Sequence, residues 1–312
     1  MDRLLAALQF VINAKIGLGV ATNPFSSARG FFRFVDLCEE SDVDSLWQTD
    51  RLNSKVPFLE AMSTMAAVAG ATERLKFGMN AVVVSLRDPL LLAKQCATID
   101  YLSAGRLLPV FGVGGDSAPE WAATGRSSRD RGRRADEALE IMQRLWTEES
   151  VSFEGEHYRY NSASISPRPV QQPLPCWIGG SSKAAIRRTA RLGTGWLAGI
   201  QTPAQVAPVI EAIREASREA GRPVPEDHYG ASFPFRFGAP EDPLVGRFAL
   251  TRNFQQGYAA VGDASTVLER IDEYRKAGVS KFVLIPVADG DDDLMEQVRQ
   301  LVAEVLPVVH GM

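Results

Sequence analysis

Short apolar runs alternate along this chain with longer stretches whose apolar positions recur every three or four residues. KIGLGV (15–20) precedes a helical pattern over 29–41, and DSLWQTD (44–50) precedes one over 58–72. LKFGMNAVVV (75–84) precedes 88–103, and RLLPVFGVG (106–114) precedes 131–147 after a polar gap. PCWIGG (175–180), GWLAG (195–199), SFPFRFG (232–238) and KFVLIPV (281–287) complete the strand-like set, with helical patterns over 182–192, 203–220, 264–277 and 291–306. A short apolar run followed by a helix-period segment reads as a βα unit, and repeated units imply a parallel sheet. Eight such units in 312 residues predict an α/β fold, a (β/α)8 TIM barrel. A doubly wound open sheet is the runner-up, disfavoured because no GxGxxG follows the first strand.

Local punctuation agrees. Asp88 is placed to cap a helix with Pro89 in its first turn, and LSAGR (102–106) ends that helix at a glycine. Two insertions interrupt the rhythm. One, 114–132, follows strand 4. Before strand 5, VSFEGEHYRY (151–160) reads as a hairpin turning at Glu154-Gly155, and the proline-rich 166–175 leads straight into the next strand. The chain is expected to form one barrel domain over 1–312, with 1–14 as an N-terminal extension. That extension is apolar but too short to span a bilayer. Lys76 and Lys281 fall where strands begin, the end of a barrel that serves stability rather than chemistry.

Composition narrows the partners. Lys and Arg number 34 against 38 Asp and Glu, a net charge of −4, with no basic block. That argues against a nucleic-acid or membrane surface and leaves small molecules. Three dispersed cysteines, Cys38, Cys96 and Cys176, suit a reducing, cytoplasmic setting better than a disulfide scaffold. The histidines His157, His228 and His310 show no metal spacing, and neither a Walker loop nor a GxSxG elbow is present.

The stretch with most chemistry is IGGSSKAAIRR (178–188). Gly179 and Gly180 permit close approach to backbone, Ser181 or Ser182 can cap the following helix, and its first amides point outward toward an anion. Lys183 and Arg187 share one helix face. A phosphate fits this arrangement; an ordinary βα turn with solvated cations is the alternative. Cations near a helix start oppose the helix dipole, so Lys183, Arg187 and Arg188 call for a negative partner.

Taken in order, DSLWQTD, RDPLLLAKQCATIDYLSAGR (87–106), GVGGDSAPEWAATG (112–125), RGRRADEALEIMQRLW (131–146), FEGEHYRY (153–160), PCWIGGSSKAAIRRTARLGTGW (175–196) and GYAAVGDASTVLERIDEYRKAGVSKFVL (257–284) resemble the luciferase-like monooxygenase family, and within it the branch that uses the deazaflavin coenzyme F420. The resemblance implies a cofactor at the C-terminal ends of the strands, with its phosphate tail on Gly179, Gly180, Ser181, Ser182 and Lys183, and Gly114 nearby. It implies a non-proline cis peptide at Asn80-Ala81 beneath the ring. It sets Asp50 beside the ring; many deazaflavin members follow this aspartate with a histidine, where this chain has Arg51. An arginine is a poor proton shuttle, so Arg51 is expected to hold an anionic substrate or to stabilise negative charge on a reduced ring, a surface pair with Asp50 being the alternative. In the 114–132 insertion Asp116 and Glu120 offer carboxyl groups; Asp116 is preferred for proton exchange and Glu120 for a helix start. Arg131 and Arg133 are placed to reach a phosphate or acidic tail, a solvated charge run being the alternative, and Trp47 to pack near the ring or in the core. The expected function is hydride transfer between F420 and a small organic substrate. An FMNH2-dependent two-component monooxygenase and a non-catalytic flavin-binding barrel are the alternatives. A flavin or F420 reductase and a homodimer are the expected partners.

Overall fold

The computed structural model describes residues 14–252 and 257–311. Eight parallel strands form the barrel: β1 (Lys15–Val20), β2 (Ser45–Gln48), β3 (Lys76–Met79), β4 (Val110–Gly112), β5 (Trp177–Gly179), β6 (Gly195–Leu197), β7 (Tyr229–Phe237) and β8 (Lys281–Pro286). Their order in the sheet is β3-β2-β1-β8-β7-β6-β5-β4. The Asn80–Ala81 peptide is cis, and the chain resumes beyond it as Val82–Val83, which pairs with β4. The Phe77 amide donates to the Arg106 carbonyl at 3.2 Å and the Leu108 amide to the Phe77 carbonyl at 2.8 Å, so β3 meets the segment entering β4 and the barrel closes. Every strand-like run of the sequence lies on one of these eight strands. A short strand, Ala260–Gly262, adds to β7.

Helices Ala28–Glu40, Ala61–Ala71, Pro89–Leu102, Arg131–Thr147, Lys183–Leu192, Pro203–Glu219, Ala264–Lys276 and Gly290–Gln300 return the chain around the outside. Asp88 caps the third through the Leu91 amide at 3.0 Å, with Pro89 at its first turn. The last helix continues through a π turn, Leu301–Val305, into Leu306–His310, so the single helix expected over 291–306 is longer and irregular. The hairpin pairs Val151–Glu154 with Arg159–Ala163 antiparallel. Glu137 docks it by accepting the amides of Glu156, His157 and Tyr158 at 2.9–3.1 Å.

Two apolar layers result. Trp47, Val110, Trp177, Leu197 and Val283 fill the barrel's interior. Gly78 makes that possible: a Cβ there would strike the Leu108 carbonyl and come within 2.8 Å of the Trp47 ring. Side chains such as Phe34, Leu92, Ile141 and Ile210 fill the space between strands and helices. At the N-terminal end of the strands, buried Lys281 pairs with Asp44, which Lys76 approaches at 4.0 Å. These lysines are committed to stability, as their position in the sequence predicts. The 1–14 extension lies outside the described residues apart from buried Ala14. No described helix is long and apolar enough to cross a membrane.

Candidate functional site

At the C-terminal ends of the strands, β3, β4 and β5 converge on the methyl group of Ala81. A Cβ placed on Gly112 would lie 3.5 Å from the Ala81 Cβ, and one placed on Gly179 would lie 3.7 Å from it. Three adjacent strand ends therefore offer a shelf carrying nothing larger than a methyl group, which suits the face of a planar ring. Beside it Gly114 has φ +73°, and a Cβ there would meet Val83 at 3.0 Å and the Trp121 ring at 3.1 Å.

The chain leaves this shelf through Gly180, whose φ of +99° lies in the left-handed region that disfavours other residues. The Trp196 indole N–H donates to the Gly180 carbonyl at 2.8 Å and holds the turn. Ser182 caps helix Lys183–Leu192, accepting the Ala185 amide at 3.2 Å. The amides of Lys183 and Ala184 precede the first possible intrahelical acceptor, and residues 180–184 are exposed. Hydroxyls, bare amides and the positive end of the helix dipole thus face solvent together. The residues present would fit a ring that carries a phosphate tail, the shelf offering room for the ring and the turn donors for an anion.

The cations sort into two groups. Arg188 is buried and turned away, bound to both oxygens of Asp136 at 2.7 and 3.3 Å and to the Gly132 carbonyl at 3.0 Å. Its negative partner is Asp136, and the pair ties two barrel helices together. Lys183 and Arg187 are exposed and enter no ion pair among the described residues. Arg131 does not project into solvent; it pairs with Asp116 and donates to the Gly114 carbonyl at 3.1 Å. Arg133 is held by Asp130 and, at 3.3 Å, by Glu156.

Three of the expected side chains have definite partners in the structure. Both oxygens of buried Asp50 are held by Arg87, at 2.7 and 2.8 Å, and one also accepts the Val83 amide at 3.0 Å. Bound on both oxygens, Asp50 braces the chain beyond strand β2 against Arg87 and Val83. Asp116 is 80% exposed and held by Arg131, so it faces water rather than a dry ring. Trp47 is buried within the barrel, its indole N–H given to Ser45 at 2.9 Å and its ring 5.7 Å from the Lys281 ammonium. It plugs the barrel below the shelf and does not wall the site.

Arg51 pairs with Glu120 at 3.2 Å, not with Asp50. Glu120 does start a short helix, Glu120–Ala123, yet it is only 3% exposed, and its Oε2 is buried without a hydrogen-bond partner. Arg87 was hidden in the sequence behind the capping signal of its neighbours Asp88 and Pro89. It also reaches Glu60 at 3.1 Å. Burial opposes the charge on Arg87, but the Asp50 and Glu60 carboxylates more than offset it and raise its pKa. Among the described residues no group of three or more His, Cys, Asp or Glu side chains is arranged for a metal ion.

Comparison with known proteins places this geometry. The chain is 34% identical over 170 residues to an uncharacterised protein of Mycobacterium tuberculosis, a match spanning 54% of this chain and 58% of that one. It is 28% identical over 317 residues to the F420-dependent glucose-6-phosphate dehydrogenase of Intrasporangium calvum, covering 88% of this chain and 92% of that enzyme. It is also 31% identical over 169 residues to the FMNH(2)-dependent dimethylsulfone monooxygenase of Pseudomonas putida, covering 53% of this chain and 46% of that enzyme. Among solved structures, the monooxygenase RslO1 of Streptomyces bottropensis superposes with a TM-score of 0.82 at 23% identity, covering 94% of this chain and 99% of that one. An F420-dependent secondary alcohol dehydrogenase superposes with the same TM-score at 18% identity, covering 95% and 99%. The family model for luciferase-like monooxygenases matches residues 8–244, and with that match the chain belongs to the luciferase-like monooxygenase family.

Proposed function

We propose that this chain is an oxidoreductase that uses the deazaflavin coenzyme F420 on a small organic substrate. The observation carrying this reading is the joining of two features on one rim. The methyl-floored shelf of Ala81, Gly112 and Gly179 runs directly into the exposed turn 180–184. The likeness to an F420-dependent dehydrogenase over 88% of the chain supports the choice of cofactor.

The tail's phosphate would be held by the Lys183 and Ala184 amides and the Ser181 and Ser182 hydroxyls, with Lys183 and Arg187 adding positive charge. When bound, the deazaflavin supplies the hydride acceptor or donor. The chain's own part is orientation and exclusion of water. Asn80–Ala81 supports the ring's face, Trp47 and Trp177 close the barrel below it, and Gly114 leaves room at its edge. Asp50 and Arg87 brace the loop after β2 against Val83, next to the shelf. A homodimer and a separate reductase that supplies reduced cofactor belong to the same proposal.

An FMNH2-dependent monooxygenase is the second reading. It is favoured by the identity to the dimethylsulfone enzyme and by the internal pairing of Arg131 and Arg133, which leaves fewer cations for a long acidic tail. Anaerobic incubation with F420 and a panel of alcohols and aldehydes separates the two. Substrate-dependent loss of the oxidised deazaflavin absorbance is expected. Oxygen uptake with reduced FMN, without any deazaflavin reaction, would replace this reading with the second. Cofactor binding without turnover of any substrate in either assay would leave a binding protein.

A further inference from the structure

Four carboxyl groups lie on the segments that follow strands β2 and β4, and three are committed. Asp50 is held on both oxygens by Arg87. Glu60 caps a helix through the Ser63 amide at 2.7 Å and meets Arg87. Asp116 lies in solvent against Arg131. Glu120 differs from all three: its Oε1 meets one arginine nitrogen at 3.2 Å, and its Oε2 is buried with no partner. Leaving a charged acceptor buried and unbonded is costly, about 1–3 kcal/mol or more. The arginine in question, Arg51, is 43% exposed and sits in the run 49–60, which contains neither helix nor strand. Of the other charged groups on neighbouring segments, Lys55 and Arg129 are exposed, and several are engaged elsewhere. Asp50 pairs with Arg87, Asp116 with Arg131, and Arg126 donates to the Leu86 carbonyl at 2.8 Å.

We propose that Glu120 is the proton-holding group of this site and that Arg51 is a movable positioning residue which sets its protonation. With its guanidinium on Glu120, Arg51 gives the carboxylate its ionic partner. Drawn away by a negatively charged group on a small anionic substrate, Arg51 leaves behind a carboxyl that is buried and has no ionic partner. Such a group takes up a proton rather than remain charged in a dry site. The inference rests on the proposed function for the use made of the proton. In carbonyl reduction, hydride from reduced deazaflavin would form the new C–H bond as the C=O π pair moves to oxygen, and that oxygen would take the proton held by Glu120 to form the O–H bond.

Infrared difference spectroscopy on the cofactor-free full chain tests the latch. Arg51→Gln is expected to show the carbonyl band of a protonated carboxyl group at neutral pH, absent from the native chain and lost again in Arg51→Gln/Glu120→Gln. No band in Arg51→Gln, or a band that survives in the double variant, overturns the proposal. Arg51 is half in solvent, so its substitution is compatible with folding. The second arm uses deazaflavin-loaded enzyme. Glu120→Gln is expected to lower kcat at least tenfold and flatten the pH profile while cofactor affinity stays within twofold. An unchanged pH profile overturns the proton assignment. Failure of the native chain to bind any deazaflavin would sink the proposed function instead, and the infrared result would still decide the latch.

Discussion

Arg87 grips Asp50 with both terminal nitrogens, at 2.7 and 2.8 Å, across 37 positions of sequence. Both side chains are nearly closed to solvent, at 10% and 1% exposure. Removing one partner of such a pair strands the other charge, which costs about 3–5 kcal/mol. Asp50→Asn should therefore lower the free energy of unfolding by roughly that amount, read from urea denaturation. Replacing both partners together, as Asp50→Leu/Arg87→Met, should recover a large part of it. Equal losses in the single and double variants would show that the pair's charge is not what matters.

Acid should weaken the fold through carboxylates that are ionised more readily in the native state. Burial pushes Glu39 up, but the amides of Arg74, Glu73 and Leu75 and the Arg74 charge reverse this and lower its pKa. Asp44 and Glu60 are lowered as well, with burial again opposed, by Lys281 in the first case and by Ser63 and Arg87 in the second. A depressed native pKa gives stability that is complete above the ordinary carboxylate range and disappears as pH falls through it. The melting temperature should hold from neutrality to about pH 5 and drop below it. Glu39→Gln should lower the plateau and make the acid drop shallower. An acid drop as steep as the native one would remove Glu39 from the explanation.

Lys183 and Arg187 should contribute to cofactor affinity by charge alone. Exposed ion pairs are worth about 0.2–1 kcal/mol each, so Lys183→Ala/Arg187→Ala should weaken binding roughly twofold to thirtyfold. The loss should shrink at high salt, where exposed charges are screened. Equilibrium titration at two ionic strengths checks both statements.

The three hairpin amides bound to Glu137 should exchange slowly with solvent. In Glu137→Ala, exchange at Glu156, His157 and Tyr158 should accelerate, while amides of the central barrel strands and cofactor affinity stay unchanged. Hydrogen-exchange mass spectrometry separates this local loosening from general unfolding. Faster exchange throughout the barrel would mean that Glu137 supports more than the hairpin.

The barrel was legible because each strand is a compact apolar run followed by a helix with its own caps, so local periodicity and global fold agree. The exposed turn proposed to seat an anion was legible as a turn and helix cap for a similar reason: Gly179 to Lys183 are consecutive residues. The partners of Asp50, Glu120 and Arg188 were not legible, because they lie 37, 69 and 52 positions away. No spacing rule links residues brought together only by closure of the barrel. Trp47 was ambiguous on other grounds. All four residues of β2 are buried, so strand alternation could not separate a wall of the site from a plug beneath it. Asp116 was preferred over Glu120 because only a fold shows which of two nearby acids turns inward.

The most direct measurement is an equilibrium titration of the purified chain with oxidised F420 and, separately, with FMN, repeated on Gly180→Val. Saturable binding of F420 is expected, clearly weakened when a branched side chain occupies the left-handed turn. Binding of neither compound below the high micromolar range, or tight binding indifferent to the change at Gly180, would contradict a cofactor tail seated on residues 180–184.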